Sequence, residues 1–370
     1  MPIDRRLLFY INWTLLGAAV MLFLFGALNL YSASGYRLEG GMNVAPYFQK
    51  QLVWGLMGVC GMVVFMFFDY RHLKTMAWPL FWTTVALLIA VFFVGKTIYG
   101  ARRWLDLGFM NFQPSELAKI AVLIVGARIL SKEREPLDFI RLGYVLGVGL
   151  ILAGPVIKQP DLGSGLSIIM ILGGMILFRG VTPRVFKTAL IAIPALLPMS
   201  WFFLHDYQKQ RIMTFLDPTT DPLGAGYHII QSEIAIGSGG FWGKGFLEGT
   251  QSQLRFLPER HTDFAVAVFG EEWGFVGTML LLSLFCFFLY QIVVIARDAR
   301  GLFGSYLAAG VFFYFFWQIL INTGMVLGLM PVVGIPLPFI SYGGSATLVN
   351  FCLVGLVLNV SMRRFLFKQS

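Results

Sequence analysis

Residues 256–295 read FLPERHTDFAVAVFGEEWGFVGTMLLLSLFCFFLYQIVVI. The stretch opens on a knot of polar groups, Glu259, Arg260, His261 and Asp263. From Phe264 to Ile295 only Glu271 and Glu272 are charged. An apolar run of roughly 20 residues suffices to cross a bilayer as a helix. This run is longer, so it is expected to tilt or to extend beyond the membrane. Nine further apolar windows lie on either side, near 12–32, 50–68, 76–94, 115–130, 142–157, 165–179, 186–204, 304–329 and 345–362. The expected fold is therefore all-α: a single polytopic membrane domain over 1–370 with about ten transmembrane helices. Its largest polar segment is a loop at 205–263.

Composition agrees. The chain is 57% hydrophobic and 13% charged, with a mean hydropathy of +0.75. Soluble domains carry about 25% charged residues. An ordinary soluble enzyme, a disordered chain and a disulfide scaffold are all excluded. Cys60, Cys286 and Cys352 fall inside apolar runs, with neither zinc-site nor disulfide spacing. Arg5 and Arg6 followed by an apolar run ending at Ser32-Ala33-Ser34 mimic a signal peptide. That run is about 20 residues, too long for a signal-peptide core, and is read as an uncleaved first span.

The net charge is +9. Its cations are scattered between apolar runs rather than gathered on one polar face, so nucleic acid is not the expected partner. Short loops rich in Lys and Arg mark the cytoplasmic side. They alternate along the chain and place both termini inside. The remaining cations sit mainly in loops 95–114 and 205–263, which cross regardless of charge and are free to meet membrane lipids or an anionic substrate. Loop 205–263 is rich in glycine. Pro218 and Pro222 bracket a turn with Asp217 and Asp221. Residues 227–236 are expected to form a short helix on the membrane surface, with Ile230 and Ile234 on its apolar face.

A charge at membrane depth costs a few kcal/mol and marks a functional site by default. Glu116 and Lys119, three apart, share a helix face; they form either a self-neutralising pair or the polar lining of a cavity near Arg103. Asp161 follows Lys158-Gln159-Pro160 and either caps the next helix or faces that cavity. Asp263 stands beside His261 at the membrane lip. Either Thr262 or Asp263 is merely an N-cap, or Asp263 is a carboxylate whose pKa is raised by desolvation and which acts as a base. Of the two later glutamates, Glu271 is the better placed to share its face. Residues 331–345 are apolar but broken by Pro and Gly, which suggests a re-entrant or cavity-lining segment. No Walker loop, HExxH or CxxC pair occurs, and His72, His205, His228 and His261 have no metal spacing.

Seven segments together resemble the SEDS family of shape, elongation, division and sporulation proteins. They are Arg103-Trp-Leu-Asp106, Phe112-Gln-Pro-Ser-Glu-Leu-Ala-Lys119, Gln159-Pro-Asp-Leu-Gly163, Tyr207-Gln-Lys-Gln-Arg211, Asp221-Pro-Leu-Gly-Ala-Gly-Tyr-His228, Phe256-Leu-Pro-Glu-Arg-His-Thr-Asp-Phe264 and Ser341-Tyr-Gly-Gly-Ser345. Glu259-Arg260-His261 looks like the elongation branch rather than the division branch. The resemblance implies a glycosyltransferase of the bacterial cytoplasmic membrane, active on the outer face. It would polymerise peptidoglycan strands from lipid II beside a class B penicillin-binding protein. It implies Asp263 as the essential carboxylate. Arg103, Glu116, Lys119, Asp161, Arg211, His261 and Ser341 are the expected substrate-binding residues. No protein metal site is expected, although a divalent cation (Mg or Mn) stays open as a helper. A lipid II flippase and a non-catalytic scaffold for the penicillin-binding protein are the alternatives.

Overall fold

The computed structural model describes residues 9–364, apart from 39–40, 45–46, 99–100, 107, 109–110, 133, 205, 222–223, 255 and 258. Arg5, Arg6, His205, Pro222 and Pro258 of the sequence reading therefore lie outside the described residues.

The chain is all-α and polytopic. Its helices are α1 (Trp13–Ser34), α2 (Tyr47–Phe67), α3 (Tyr70–Val94), α4 (Pro114–Leu130), α5 (Phe139–Lys158), α6 (Leu162–Arg179), α7 (Pro183–Ser200), α8 (Asp206–Leu216), α9 (Ala225–Gly239), α10 (Thr250–Gln253), α11 (Ala265–Asp298), α12 (Leu302–Val326) and α13 (Gly344–Met362). Eight of them are long and apolar enough to cross a membrane: α1, α2, α3, α5, α6, α11, α12 and α13. The helices α4 and α7 overlap the two other apolar windows, 115–130 and 186–204. A hairpin of β1 (Gly35–Leu38) and β2 (Gly41–Val44) joins α1 to α2. A small antiparallel sheet of β3 (Lys96–Ile98), β4 (Ala101–Asp106) and β5 (Asn111–Phe112) joins α3 to α4.

The core lies around α4, α12 and α13, whose residues are buried on nearly all sides. A helix apolar all round belongs there. The helices α2 and α13 approach so closely that a Cβ on Gly355 would lie 2.3 Å from the Met62 carbonyl oxygen. Small residues allow such contact between membrane helices, where lipid removes any hydrophobic drive to associate. By contrast α7 presents Leu190, Ile191, Ile193, Leu196 and Met199 outward. Exposed apolar side chains of this kind suit contact with lipid tails.

Residues 264–295 do not form one tilted helix. Gly274 (φ 64°, ψ −163°) interrupts α11. The broken backbone is paired by the glycine-rich stretch 240–245. Lys244 and Gly245 donate their N–H groups to the Glu271 and Glu272 carbonyls, each at 3.0 Å, while Phe275 and Val276 donate to the Gly240 and Phe241 carbonyls at 2.9 and 3.2 Å. Irregular backbone at membrane depth survives only when protein satisfies it in this way. The approach is tight: a Cβ on Gly243 would meet the Glu272 carbonyl oxygen at 2.1 Å.

The polar loop also differs in detail from its expected form. Its helix α9 packs on α11, where a Cβ on Gly239 would lie 2.2 Å from the Gly270 carbonyl oxygen; Ile229, Ser232 and Ala235 are buried, while Ile234 is exposed. The Ser232 hydroxyl reaches the Val326 carbonyl at the end of α12, 2.9 Å away. Protein packing thus selects the small-residue face of α9, and Ile230 and Ile234 lie off it. Residues 331–343 are non-helical. They are pinned by Phe339, whose ring contacts Phe288 of α11, Phe315 of α12 and Phe351 of α13 at 5.8, 5.7 and 5.3 Å between centroids.

Candidate active site

A cavity of about 520 Å³ opens at the end of the bundle that carries the β-strands and the long loop. This volume lies within the usual range for small-ligand sites. Arg103, Glu116, Lys119, Asp161, His261 and Asp263 all line it. Residues far apart in sequence meet here because β4, the starts of α4 and α6, the 259–263 loop and residues 334–346 converge on one end.

One wall is ionic. Pro114 at the first turn starts α4, and the next turns carry Glu116 and Lys119. The Lys119 ammonium donates to Glu116 Oε1 at 2.7 Å, with both side chains almost fully buried. The same ammonium lies 5.5 Å from the centre of the Tyr314 ring, within reach of a cation–π attraction. Arg103 donates from Nε to the Gln159 carbonyl at 3.2 Å and also bonds the Pro160 carbonyl. Its Nη1 is 4.0 Å from Asp161 Oδ1. Asp161 does two things. Its Oδ1 caps α6 by accepting from the Ser164 N–H at 3.2 Å, and its Oδ2 accepts from Gln113 at 3.2 Å.

Asp263 forms the facing wall. It is not a helix cap: Phe264 occupies that position in α11, without a side-chain capping bond. Thr262 is not one either, because its hydroxyl bonds Glu259 Oε2 at 3.1 Å. Burial is the main cause that pushes the Asp263 carboxyl up to about 6, and the Glu259 carboxylate adds to the rise; Arg211 opposes it. Gly334, in the left-handed region at φ 74°, lets the neighbouring segment pass close to this carboxylate. A Cβ there would sit 3.4 Å from Asp263 Oδ2. Behind the loop His228 stacks on Phe264 with ring centroids 5.8 Å apart, and burial lowers the histidine pKa. An aromatic rim completes the mouth: Tyr47 stacks on His261 at 4.6 Å and meets Tyr342 edge-on at 5.1 Å.

Two expected site residues stand off the cavity wall. Arg211, on α8, acts on Asp263 through its field rather than by lining the cavity. Ser341 is buried behind the wall, where its hydroxyl accepts from the Leu337 N–H at 2.9 Å. Glu271 does not share the Asp263 face. Its carboxylate is held by the Lys244 ammonium at 2.7 Å, the Thr250 hydroxyl at 3.1 Å and the Gln251 N–H at 3.0 Å. Glu272 bonds Ser32 of α1. Both glutamates therefore brace the break in α11. The sequence reading missed Asn322 and Tyr314, polar groups inside an apolar window. Among the described residues, no group of three or more His, Cys, Asp or Glu is placed to hold a metal ion. These described residues build no cage for the divalent cation.

Comparison with known proteins agrees with this architecture. The family model FTSW_RODA_SPOVE, described as cell cycle protein, matches residues 12–365. Peptidoglycan glycosyltransferase MrdB of Escherichia coli K12 is 43% identical over 364 residues, 98% of this chain and 96% of the relative. A probable peptidoglycan glycosyltransferase FtsW of Geobacter sp. strain M18 is 39% identical over 352 residues, 93% of this chain and 95% of the relative. The crystal structure of the rod shape determining protein RodA of Thermus thermophilus superposes with a TM-score of 0.71 at 28% identity, covering 96% of this chain and 98% of that one. A chain from a peptidoglycan synthase complex that coordinates polymerization and crosslinking superposes with a TM-score of 0.82 at 30% identity, covering 96% and 99%. Sequence and fold agree over almost the entire length, and the chain belongs to the FtsW/RodA/SpoVE family of cell cycle proteins.

Proposed function

We propose that this protein is a peptidoglycan glycosyltransferase that joins lipid II disaccharides into glycan strands at the outer face of the bacterial cytoplasmic membrane, with both termini inside. The observation that carries this reading is the Asp263 carboxyl, desolvated and raised to about 6, opposite an ionic wall in one cavity. A group titrating near the working pH is suited to general base catalysis. A glycosidase needs two carboxyl groups because its leaving alkoxide must be protonated. A diphosphate leaves without protonation, so a single base is enough.

In this mechanism Asp263 takes the proton from the 4-hydroxyl of the acceptor N-acetylglucosamine. That oxygen attacks C1 of the donor N-acetylmuramic acid from the face opposite the diphosphate. The C1–oxygen bond to undecaprenyl diphosphate breaks, its electron pair leaves with the diphosphate, and the α-linked donor becomes a β-1,4 glycoside. Arg103 and Lys119 stabilise the charge that develops on the departing group. Their pairing with Asp161 and Glu116 holds both cations in place before substrate arrives. The similarity to a chain of a polymerising and crosslinking complex supports a class B penicillin-binding protein as partner. The apolar exterior supports direct contact with membrane lipids.

The decisive experiment gives purified protein, with and without the transpeptidase, labelled lipid II. Glycan chains are expected from the wild type and none from Asp263→Asn at equal folded amounts. Strand synthesis at the wild-type rate by that variant overturns the assignment. Lipid translocation without polymerisation by the wild type identifies a flippase, and neither activity leaves a scaffold.

A further inference from the structure

Asn322 lies in the last turns of an apolar helix, α12, with no exposed surface. Its Nδ2 is 2.9 Å from the Asp263 carbonyl oxygen and 2.8 Å from the Ile335 carbonyl oxygen. One amide NH2 has two hydrogens. Both are used here, one on each of two segments separated by 72 positions in the chain. The orientation is fixed by chemistry: a flipped amide would turn its oxygen on two carbonyls. Its own Oδ1 accepts no bond among the described residues.

The two segments that Asn322 joins are the ones that shape the facing wall. Residues 261–263 carry His261 and Asp263, and residues 334–336 line the cavity beside them. A second link runs parallel, from the Tyr342 N–H to the His261 carbonyl at 2.8 Å. Gly334 stands next to the Ile335 carbonyl that Asn322 holds, and a Cβ added to it would come 3.4 Å from Asp263 Oδ2. Cutting the Asn322 link frees the Asp263 backbone on one side only and leaves the ionic wall untouched.

We propose that Asn322 is a positioning residue for the transferase reaction: its amide clamps the backbone of Asp263 to the 334–336 segment and so aims the carboxylate at the acceptor hydroxyl. The inference rests on the assignment of Asp263 as the base. A misplacement of about 1 Å at a reacting group lowers a rate on the order of a hundredfold. Binding of substrate, which draws on the rest of the cavity, is left nearly unchanged.

The test compares full-length wild type, Asn322→Asp, Asn322→Ala and Asp263→Asn, reconstituted with the transpeptidase and assayed for strand synthesis over a range of lipid II concentrations. Asn322→Asp keeps the shape and removes both donors. It is expected to lose kcat by about 10- to 100-fold with KM within about twofold, counted per folded molecule from the monodisperse fraction. Asn322→Ala is expected to behave alike. Gly334→Ala perturbs the same junction from the cavity side and carries the test if the Asn322 variants do not fold; the same kcat-selective loss is expected. Wild-type kcat in any folded variant, or a change confined to KM, overturns the proposal. The Asp263→Asn arm separates the two levels. If it polymerises at the wild-type rate, the base assignment fails. If it is inactive while the Asn322 variants run at full rate, only the clamp fails.

Discussion

At neutral pH the Asp263 carboxyl is ionised in surroundings that favour its neutral form, because burial and the Glu259 carboxylate together raise its pKa to about 6. In the unfolded chain an aspartate titrates near 3.9. Below pH ~4 both states hold the proton and no stability is at stake. Between about 4 and 6 the unfolded chain releases its proton first, so folding stability falls as pH rises, by ~1.4 kcal/mol per unit. The loss reaches about 3 kcal/mol and stays constant at higher pH. Asp263→Asn removes this penalty. Melting of the purified protein should show the variant more stable by up to about 3 kcal/mol at pH 7.5 and equal to wild type near pH 4; a variant no more stable at pH 7.5 contradicts the desolvation. For the wild type, kcat/KM should fall about tenfold per unit below pH ~6. Substitution at the Lys119–Glu116 pair should instead lower stability. Lys119→Met strands a buried carboxylate and should cost about 3–5 kcal/mol, whereas Lys119→Met with Glu116→Gln should recover most of that stability and none of the activity. Urea melts and strand synthesis on both variants check it. Asp263, Glu116, Lys119 and Asp161 were legible in the sequence because a charge in an apolar run is expensive and so conspicuous. Asn322 was not: an uncharged amide costs far less, and its meaning lies in two carbonyls that no local pattern reveals. Ser341 shows the reverse, a motif position whose hydroxyl is spent on holding its own segment.

Among the elements, the interrupted α11 is the least legible in the sequence. Hydrophobicity alone reads residues 264–295 as one long helix, since Gly274 sits among apolar neighbours that continue the pattern. What breaks the helix is not local. The carbonyls of Glu271 and Glu272 find new donors at Lys244 and Gly245, far back in the polar loop. Glycine is required on both sides of the junction: Gly274 and Gly243 have positive φ, and a Cβ on Gly274 would come within 2.2 Å of the Gly243 amide nitrogen. Gly274→Ala should therefore lower the melting temperature sharply and increase proteolysis within 240–260, while Gly237→Ala on α9, whose added Cβ would meet nothing within 4 Å, should do less. Equal melting curves for the two variants contradict this account. The same remoteness explains α9. Its helical period was readable, but the choice of Ile229, Ser232 and Ala235 as the packed face is made by α11 and the end of α12. The spans themselves were readable because apolar composition over roughly 20 residues needs no tertiary information.

The whole molecule is polarised along the bundle axis. At one end the connections are short, and arginines bond the ends of helices: Arg363 to Asp69 at 3.2 Å, Arg364 to Asp298 at 3.2 Å, and Arg128 to the Thr75 carbonyl at 3.3 Å. At the other end lie the strands, the long loop and the cavity. On the proposed reading, the net charge of +9 divides between setting orientation and meeting an anionic lipid. A membrane-impermeant maleimide should label Lys96→Cys in intact cells and Glu135→Cys only after lysis; the native cysteines lie within α2, α11 and α13. The opposite pattern would invert the orientation. The cavity draws on residues from Tyr47 to Ala346, and this has a consequence for biosynthesis. The polar loop is synthesised before Glu271, Glu272, Asn322, Ile335 and Tyr342, yet those residues give it its shape. A nascent or stalled chain can insert its early helices without possessing a working site. Competence arrives only when α12 and α13 have docked, with α13 against α2, so a half-made enzyme cannot begin a strand that it is unable to finish.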